Sequence, residues 1–157
     1  MRENETVSSP TTVPVYFYSS VSNLTRRFAE ALEQHGRVVR DLSDAQVRHS
    51  ETSGPWVLLT PSYKAGNDAN VTLPAAVRSF LRSPVNRRHL VGIVGSGNRN
   101  FGEYYQAAAR ELSRTSRRPI LFEFELSGTV EDVDACVRIL RDLDEAFANR
   151  QRGDSET

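Results

Sequence analysis

The sequence is nearly without cysteine. Cys136 stands alone among 157 residues, so no disulfide closes within the chain, and no CxxC or Cys/His spacing offers a zinc site. Its surroundings, VDACVRIL, have the spacing of an apolar helix face, which makes Cys136 a small buried hydrophobe rather than a reactive thiol. Lysine is as scarce. Lys64 is the only one, and arginine supplies the rest of the 20 basic residues, which balance 20 acidic ones. A net charge of zero leaves no bulk attraction to nucleic acid or to an anionic membrane. No apolar run approaches the ~18 residues that mark a membrane span. Residues 1–12 are polar and lack the apolar stretch of a signal peptide, so the chain reads as cytoplasmic. Histidines are few and scattered. His35, His49 and His89 fall at a helix end, in a loop and before a strand, without ligand spacing; they read as surface residues with no metal role.

What is present is alternation. A chain of this length, 38% apolar and 25% charged, is expected to form one domain that removes roughly 70% of the unfolded surface from water. Residues 1–12 and 150–157 are polar and read as disordered tails around a domain at 13–149. Five short apolar runs read as strands, at 13–19, 37–42, 55–61, 89–96 and 119–126. Helical spacing falls between them at 23–34, stopped by Gly36, at 73–81 with Pro74 in its first turn, and at 104–112. A last helix follows at 130–147. Segment 42–54 reads as loop. The Glu/Phe alternation of PILFEFEL suggests a sheet edge, with Glu123 and Glu125 on its solvated face. Strands alternating with helices build an α/β fold, a parallel sheet covered on both faces.

Ligands of such a sheet sit beyond the carboxyl ends of its strands. The first run is followed by Ser19-Ser20-Val21-Ser22-Asn23-Leu24-Thr25, which leads into a helix. A helix start favours an anion, through free N–H groups and the positive end of its dipole. Capping alone would use one Ser or Asn; four hydroxyls and Asn23 exceed that need. The loop has no glycine and no lysine, so it is neither GxxxxGK[ST] nor GxGxxG. A hydroxyl-lined loop without glycine suits a phosphate monoester, as on flavin mononucleotide (FMN). The second loop, Thr60-Pro61-Ser62-Tyr63-Lys64-Ala65-Gly66, offers Tyr63 either as a stacking face for a flat heterocycle or as an ordinary tyrosine. Trp56 begins its strand at the opposite rim and reads as packing. The third loop, Gly95-Ser96-Gly97-Asn98-Arg99-Asn100-Phe101-Gly102, gives close backbone approach and amides for a ring edge. The loop after the second strand carries Asp41 and Asp44 and no glycine.

Four segments, SSVSNLTRRF, PSYKAG, GNRNFG and FELSGTVEDV, together resemble the flavodoxin-like NrdI family, activators of class Ib ribonucleotide reductase. There the segments run SSxSxNTxRF, PTYGGG, GNxNFG and FELxGTxxDV in the same order. The resemblance implies a flavodoxin-like sheet of order 2-1-3-4-5 binding one FMN. It implies an electron donor that reduces the flavin, and transfer from flavin to dioxygen to give superoxide or a peroxide equivalent. That oxidant would help assemble the dimanganese–tyrosyl radical cofactor of the reductase small subunit, where the manganese belongs to the partner. By motif, Ser19, Ser20, Ser22 and Thr25 would hold the phosphate, Tyr63 and Gly66 would border the ring, and Asn98, Asn100, Phe101 and Gly102 would form its far wall. With their neighbours Asn23, Ser62, Lys64, Ala65 and Gly97, these make up the expected cofactor-binding set. No side chain is expected to act as a catalytic acid, base or nucleophile, because the flavin carries the chemistry. The chain departs from the family pattern at Leu24, which replaces an asparagine, and at Lys64 and Ala65, which replace glycines.

The three loops contain no Asp or Glu at 19–27, 60–67 and 95–102, but do contain Arg26, Arg27, Lys64 and Arg99. A cation ~6 Å from the anionic edge of reduced flavin would favour it by roughly 3 kcal/mol at an effective dielectric near 20, and an exposed one by less. The loops are therefore expected to favour full reduction more than those of acidic electron-transfer flavodoxins. A generic one-electron flavodoxin, or a binding module that kept the fold without the flavin, are the alternatives.

Overall fold

The computed structural model describes residues 12–19, 23–61, 73–97 and 107–156, and of these all side chains except those of 107 and 151–156. The β-branched and aromatic runs form five strands, β1 (Val15–Phe17), β2 (Val39–Asp41), β3 (Trp56–Pro61), β4 (Leu90–Gly97) and β5 (Ile120–Glu125). They pair in parallel in the order β2-β1-β3-β4-β5, the order the family resemblance implies. β5 lies at an edge, as the Glu/Phe alternation suggests, whereas all six residues of β3 are buried.

Helices cover both faces because the central strands β3 and β4 bury side chains on both sides. Val15, Phe17, Val57, Leu59 and Val94 meet Phe28, Ala29 and Leu32 of α1 (Leu24–Gln34) and Cys136, Val137 and Leu140 of α6 (Val130–Glu156). On the other face Trp56, Leu58 and Leu90 pack with Val77 and Phe80 of α3 (Ala75–Phe80). Leu112 of α5 (Ala107–Ser116) and Val47 of α2 (Ala45–Arg48) flank them. Each fully buried Leu or Phe contributes about 1.5–3 kcal/mol of transfer free energy.

The helix ends obey local chemistry. Gly36, at φ 94°, turns α1 out of its last turn, and its N–H donates to the Glu33 carbonyl. α6 starts on a reciprocal cap: the Asp132 N–H donates to Thr129 Oγ1 at 3.0 Å, and the Thr129 N–H to Asp132 Oδ2 at 2.9 Å. Arg37 does not join β2. It is buried, and its guanidinium donates to the Val13 carbonyl (3.0 Å) and to both Asp144 oxygens (2.9 Å each). The Val13 N–H also donates to Asp144 (2.8 Å), so one ion pair ties the chain before β1 and β2 to α6.

Local features differ from the sequence reading at four places. Segment 42–54 contains the single turn α2, capped by Asp44. A further short helix, α4 (Pro84–His89), lacks an apolar period but has a Ser83 cap and proline in its first turn. Pro74 is the N-cap residue of α3, one place before its first turn. α6 runs to Glu156, past residue 149, where the sequence reading begins a tail.

Candidate functional site

The chain leaves β1 toward β2 on one side and reaches β3 on the other, so the switch in strand order lies at β1. The crevice that such a switch opens is bounded by the carboxyl ends of β1 and β3. Ser19 and Asn23, the described residues on either side of the turn into α1, border that crevice.

Ser19 is buried just past β1, and its Oγ accepts the Arg26 N–H at 3.0 Å. That amide belongs to the first turn of α1, so Ser19 performs the cap from seven residues upstream. Asn23 occupies the N-cap position in the left-handed region, φ 61° and ψ 17°, and its side chain makes no capping bond. It is exposed at the mouth of the helix. Asparagine is among the few residues that tolerate this backbone. The first amides of α1 have no intrahelical acceptor by geometry; Ser19 takes that of Arg26, which leaves those of Leu24 and Thr25 at this mouth.

Thr25 is buried at 3% exposure, and its Oγ1 lies 2.9 Å from Ser96 Oγ, itself at 3%. Ser96 is the penultimate residue of β4 and shares a sheet face with Val94, the face covered by α1. The bond therefore joins the helix after β1 to the end of β4. Beside it the Gly97 carbonyl accepts the Leu126 N–H at 2.8 Å, which ties the end of β4 to the end of β5. Of the expected cofactor-binding set, the structure thus places Ser19, Asn23, Thr25 and Gly97 at the carboxyl rim, with Ser19, Asn23 and Thr25 gathered around the start of α1. Ser20, Ser22, Ser62, Tyr63, Lys64, Ala65, Gly66, Asn98, Asn100, Phe101 and Gly102 lie outside the described residues. So do Lys64 and Arg99 of the expected cations.

The cationic picture changes at Arg26. Its guanidinium donates to Asp41 Oδ2 at 2.7 Å and lies 5.5 Å from the centre of the Phe17 ring. The loops themselves lack carboxylates, but Asp41 reaches in from the end of β2, so Arg26 is not a free cation. Burial works to raise the Asp41 pKa, but hydrogen bonds from the Ser43 hydroxyl and N–H and the Arg26 guanidinium prevail and hold it below its ordinary value. Ser96 was legible only by strand parity: two places after Val94, it must share the face on which α1 packs.

Other titratable groups sit away from this rim. His35 and His49 are exposed, but His89 is half-buried, with Nδ1 2.8 Å from Thr52 Oγ1, so the surface reading fails for it. Its position directly before β4 places it against the 50s turn. Among the described residues no cluster of His, Cys, Asp and Glu could hold a metal ion. Burial pushes the Cys136 thiol up to about 12. Glu123 is half-buried and lies 3.5 Å from Arg110. Trp56 is buried at the amino end of β3, as its place in the strand suggests, and its indole N–H donates to the Asn86 carbonyl at 2.8 Å. A cavity of about 450 Å³ opens at the amino ends of the strands, between Pro14, Tyr16, Arg40, Thr52 and Pro55. It is on the far rim from Ser19, Thr25 and Ser96, away from the crevice at the switch in strand order. Among the described residues no helix is long and apolar enough to cross a membrane.

Comparisons with known proteins bear on this arrangement. Residues 15–138 match the family model described as NrdI, flavodoxin-like. A protein NrdI from Photorhabdus laumondii is 39% identical over 121 residues, covering 76% of this chain and 84% of that protein. One from Streptococcus pyogenes is 34% identical over 139 residues, covering 88% and 83%. Among solved structures, oxidised flavodoxin 2 from Bacillus cereus superposes with a TM-score of 0.54 at 18% identity, covering 86% of this chain and 99% of that one. A short-chain flavodoxin associated with a bacterial microcompartment gives 0.56 at 14%, covering 85% and 97%. At such identities the two structures speak for the fold alone, whereas the family match spans nearly all of the domain: the chain belongs to the flavodoxin-like NrdI family.

Proposed function

We propose that this protein binds FMN at the carboxyl rim and, as a redox accessory factor, activates the dimanganese small subunit of a class Ib ribonucleotide reductase. The observation that carries the reading is the gathering of Ser19, Asn23, Thr25 and the start of α1 at the switch point of a 2-1-3-4-5 sheet in a chain of this family. The donor set suits a phosphate monoester. It consists of hydroxyls and helix amides, and the nearby Asp41 carboxylate is engaged by Arg26.

When bound, FMN supplies the transfer of electrons from a reducing partner to dioxygen, giving superoxide or peroxide for assembly of the partner's radical cofactor. The chain's own residues position. Ser19, Ser20, Ser22, Asn23 and Thr25 hold the phosphate and so fix one end of the ligand. Ser62, Tyr63, Lys64, Ala65 and Gly66 would border the ring, and Gly97, Asn98, Asn100, Phe101 and Gly102 would form its far wall. The Gly97–Leu126 bond ties the end of β4, which leads into that segment of the sequence, to the end of β5.

The test is an absorbance spectrum of purified protein before and after addition of FMN, then anaerobic reduction and exposure to air in the presence of the manganese-loaded small subunit. Stoichiometric flavin, rapid reoxidation and appearance of the tyrosyl radical are expected. A protein that binds flavin but yields no radical would be a generic electron carrier. One that takes up no FMN would be a binding module on the same fold.

A further inference from the structure

The hydroxyl pair Thr25–Ser96 leaves a choice that the bound anion would settle. Two hydroxyls 2.9 Å apart share one proton along the line between them. Either Thr25 donates to Ser96, or Ser96 donates to Thr25. Both are 3% exposed, so water does not compete for the site. Thr25 is the second residue of α1 and stands at the positive end of the helix.

If Thr25 donated to Ser96, its oxygen would turn lone pairs toward the helix mouth, and a phosphate there would meet repulsion. If Ser96 donates, the Thr25 proton is released to point at the mouth, where a charged acceptor makes the stronger bond. The Ser96 backbone is fixed within β4, paired with Pro61 of β3 and Phe124 of β5, and at 3% exposure its side chain has little room to turn away.

We infer that Ser96 is a positioning residue for the phosphate: it donates to Thr25 Oγ1 and thereby turns the Thr25 proton toward the ligand. This rests on the reading of the rim as an FMN site. It also gives the end of β4 a share in phosphate recognition, at a strand otherwise expected to serve the ring. A ligand of the same ring without phosphate should be indifferent to Ser96.

The test compares FMN with riboflavin, on wild-type protein and on Ser96→Ala. The variant should weaken FMN about five- to tenfold, the range of one hydrogen bond to a charged group through an intermediary, and change riboflavin less than twofold. Equal losses for both ligands would make Ser96 a packing residue and overturn the inference. So would a wild-type protein that holds riboflavin as tightly as FMN. Should the variant fail to fold, wild-type protein with FMN still decides: the Thr25 hydroxyl proton should show scalar coupling to the phosphorus by NMR. A Thr25 proton coupled to nothing at phosphorus overturns the inference even though FMN binds. Wild-type protein that binds neither ligand overturns the functional reading itself, and the inference falls with it.

Discussion

Gly128 offers the sharpest test of the packing argument. The Phe28 and Phe124 rings stack at 3.8 Å between centroids with an interplanar angle of 13°. Gly128 lies against this pair at φ 75°. A Cβ there would sit 2.8 Å from Phe28 Cδ1, 2.9 Å from Cε1 and 3.3 Å from Phe124 Cδ2. Gly128→Ala therefore meets two costs. A non-glycine residue in the left-handed region costs roughly 1–2 kcal/mol. Forcing a methyl against rings that are clamped between β5, α1 and α6 costs about 1–3 kcal/mol, because neither ring is a flexible end that can step aside. Their sum, about 2–5 kcal/mol, corresponds to a fall in Tm of about 4–20 °C for a chain of this size.

Gly36 provides the internal control. It too has positive φ, 94°, but nothing lies within 4 Å of the position its Cβ would take. Gly36→Ala should show the backbone cost alone, about 1–2 kcal/mol. Urea unfolding of the two variants beside the wild type separates the contributions. If Gly128→Ala cost no more than Gly36→Ala, the ring contact would carry no energy, and the account of why this turn needs glycine would be wrong.

The buried polar groups give further expectations. Asp144→Ala strands the Arg37 guanidinium, which is 7% exposed, and should cost about 3–5 kcal/mol in urea unfolding; replacing both partners with apolar residues should recover most of that. Cys136, buried with its thiol pushed up to about 12, should react with a disulfide reagent at pH 8 only as fast as the native protein opens, so that urea and not pH controls the rate. Asp41 has a folded pKa held below its ordinary 3.8, so its contribution to stability is present above that value and is lost as pH falls through the lower folded one. Asp41→Asn should lower stability at pH 6 by a few tenths to about 1 kcal/mol, since Arg26 is a third exposed, and the gap to wild type should narrow as pH falls below the ordinary 3.8.

The sheet was legible because β-branched runs separated by helical periods leave few other arrangements. Its order came from the resemblance, not from periodicity. The short helices were hidden for a physical reason: α4 carries Asn86, Arg87, Arg88 and His89 where a core-facing stripe would need apolar residues. Its hold on the domain comes from Asn86, which is buried, accepts the Thr52 N–H and donates to the Ser50 and Phe80 carbonyls. No hydrophobic pattern reports such a hub. His89 escaped for the same reason, since a histidine before a strand looks exposed until the partner turn is known. The candidate site was legible as a loop rich in hydroxyls but not as a set of bonds. Whether Ser19 caps, or Thr25 reaches across to Ser96, depends on how α1 leans on the sheet.

The motifs that carry the family resemblance consequently divide by what they do in the fold. FELSGTVEDV serves packing where the structure describes it. Phe124 stacks on Phe28, Gly128 clears the pair, and Thr129 with Asp132 starts α6. Leu126 sends its N–H to Gly97, which is the first residue of GNRNFG. Phe28, the other half of the stack, is the last residue of SSVSNLTRRF. One motif thus braces two others: through the rings it sets the seat of α1, and through the backbone it sets the end of β4. The Thr25–Ser96 bond closes the same circuit from the opposite side. Substitutions in FELSGTVEDV are therefore expected to reach the proposed phosphate site at the start of α1 without touching it, by moving α1 against β4. Gly128→Ala should weaken FMN binding as well as stability, and a variant that lost stability while holding FMN unchanged would show that the two ends of this circuit are independent.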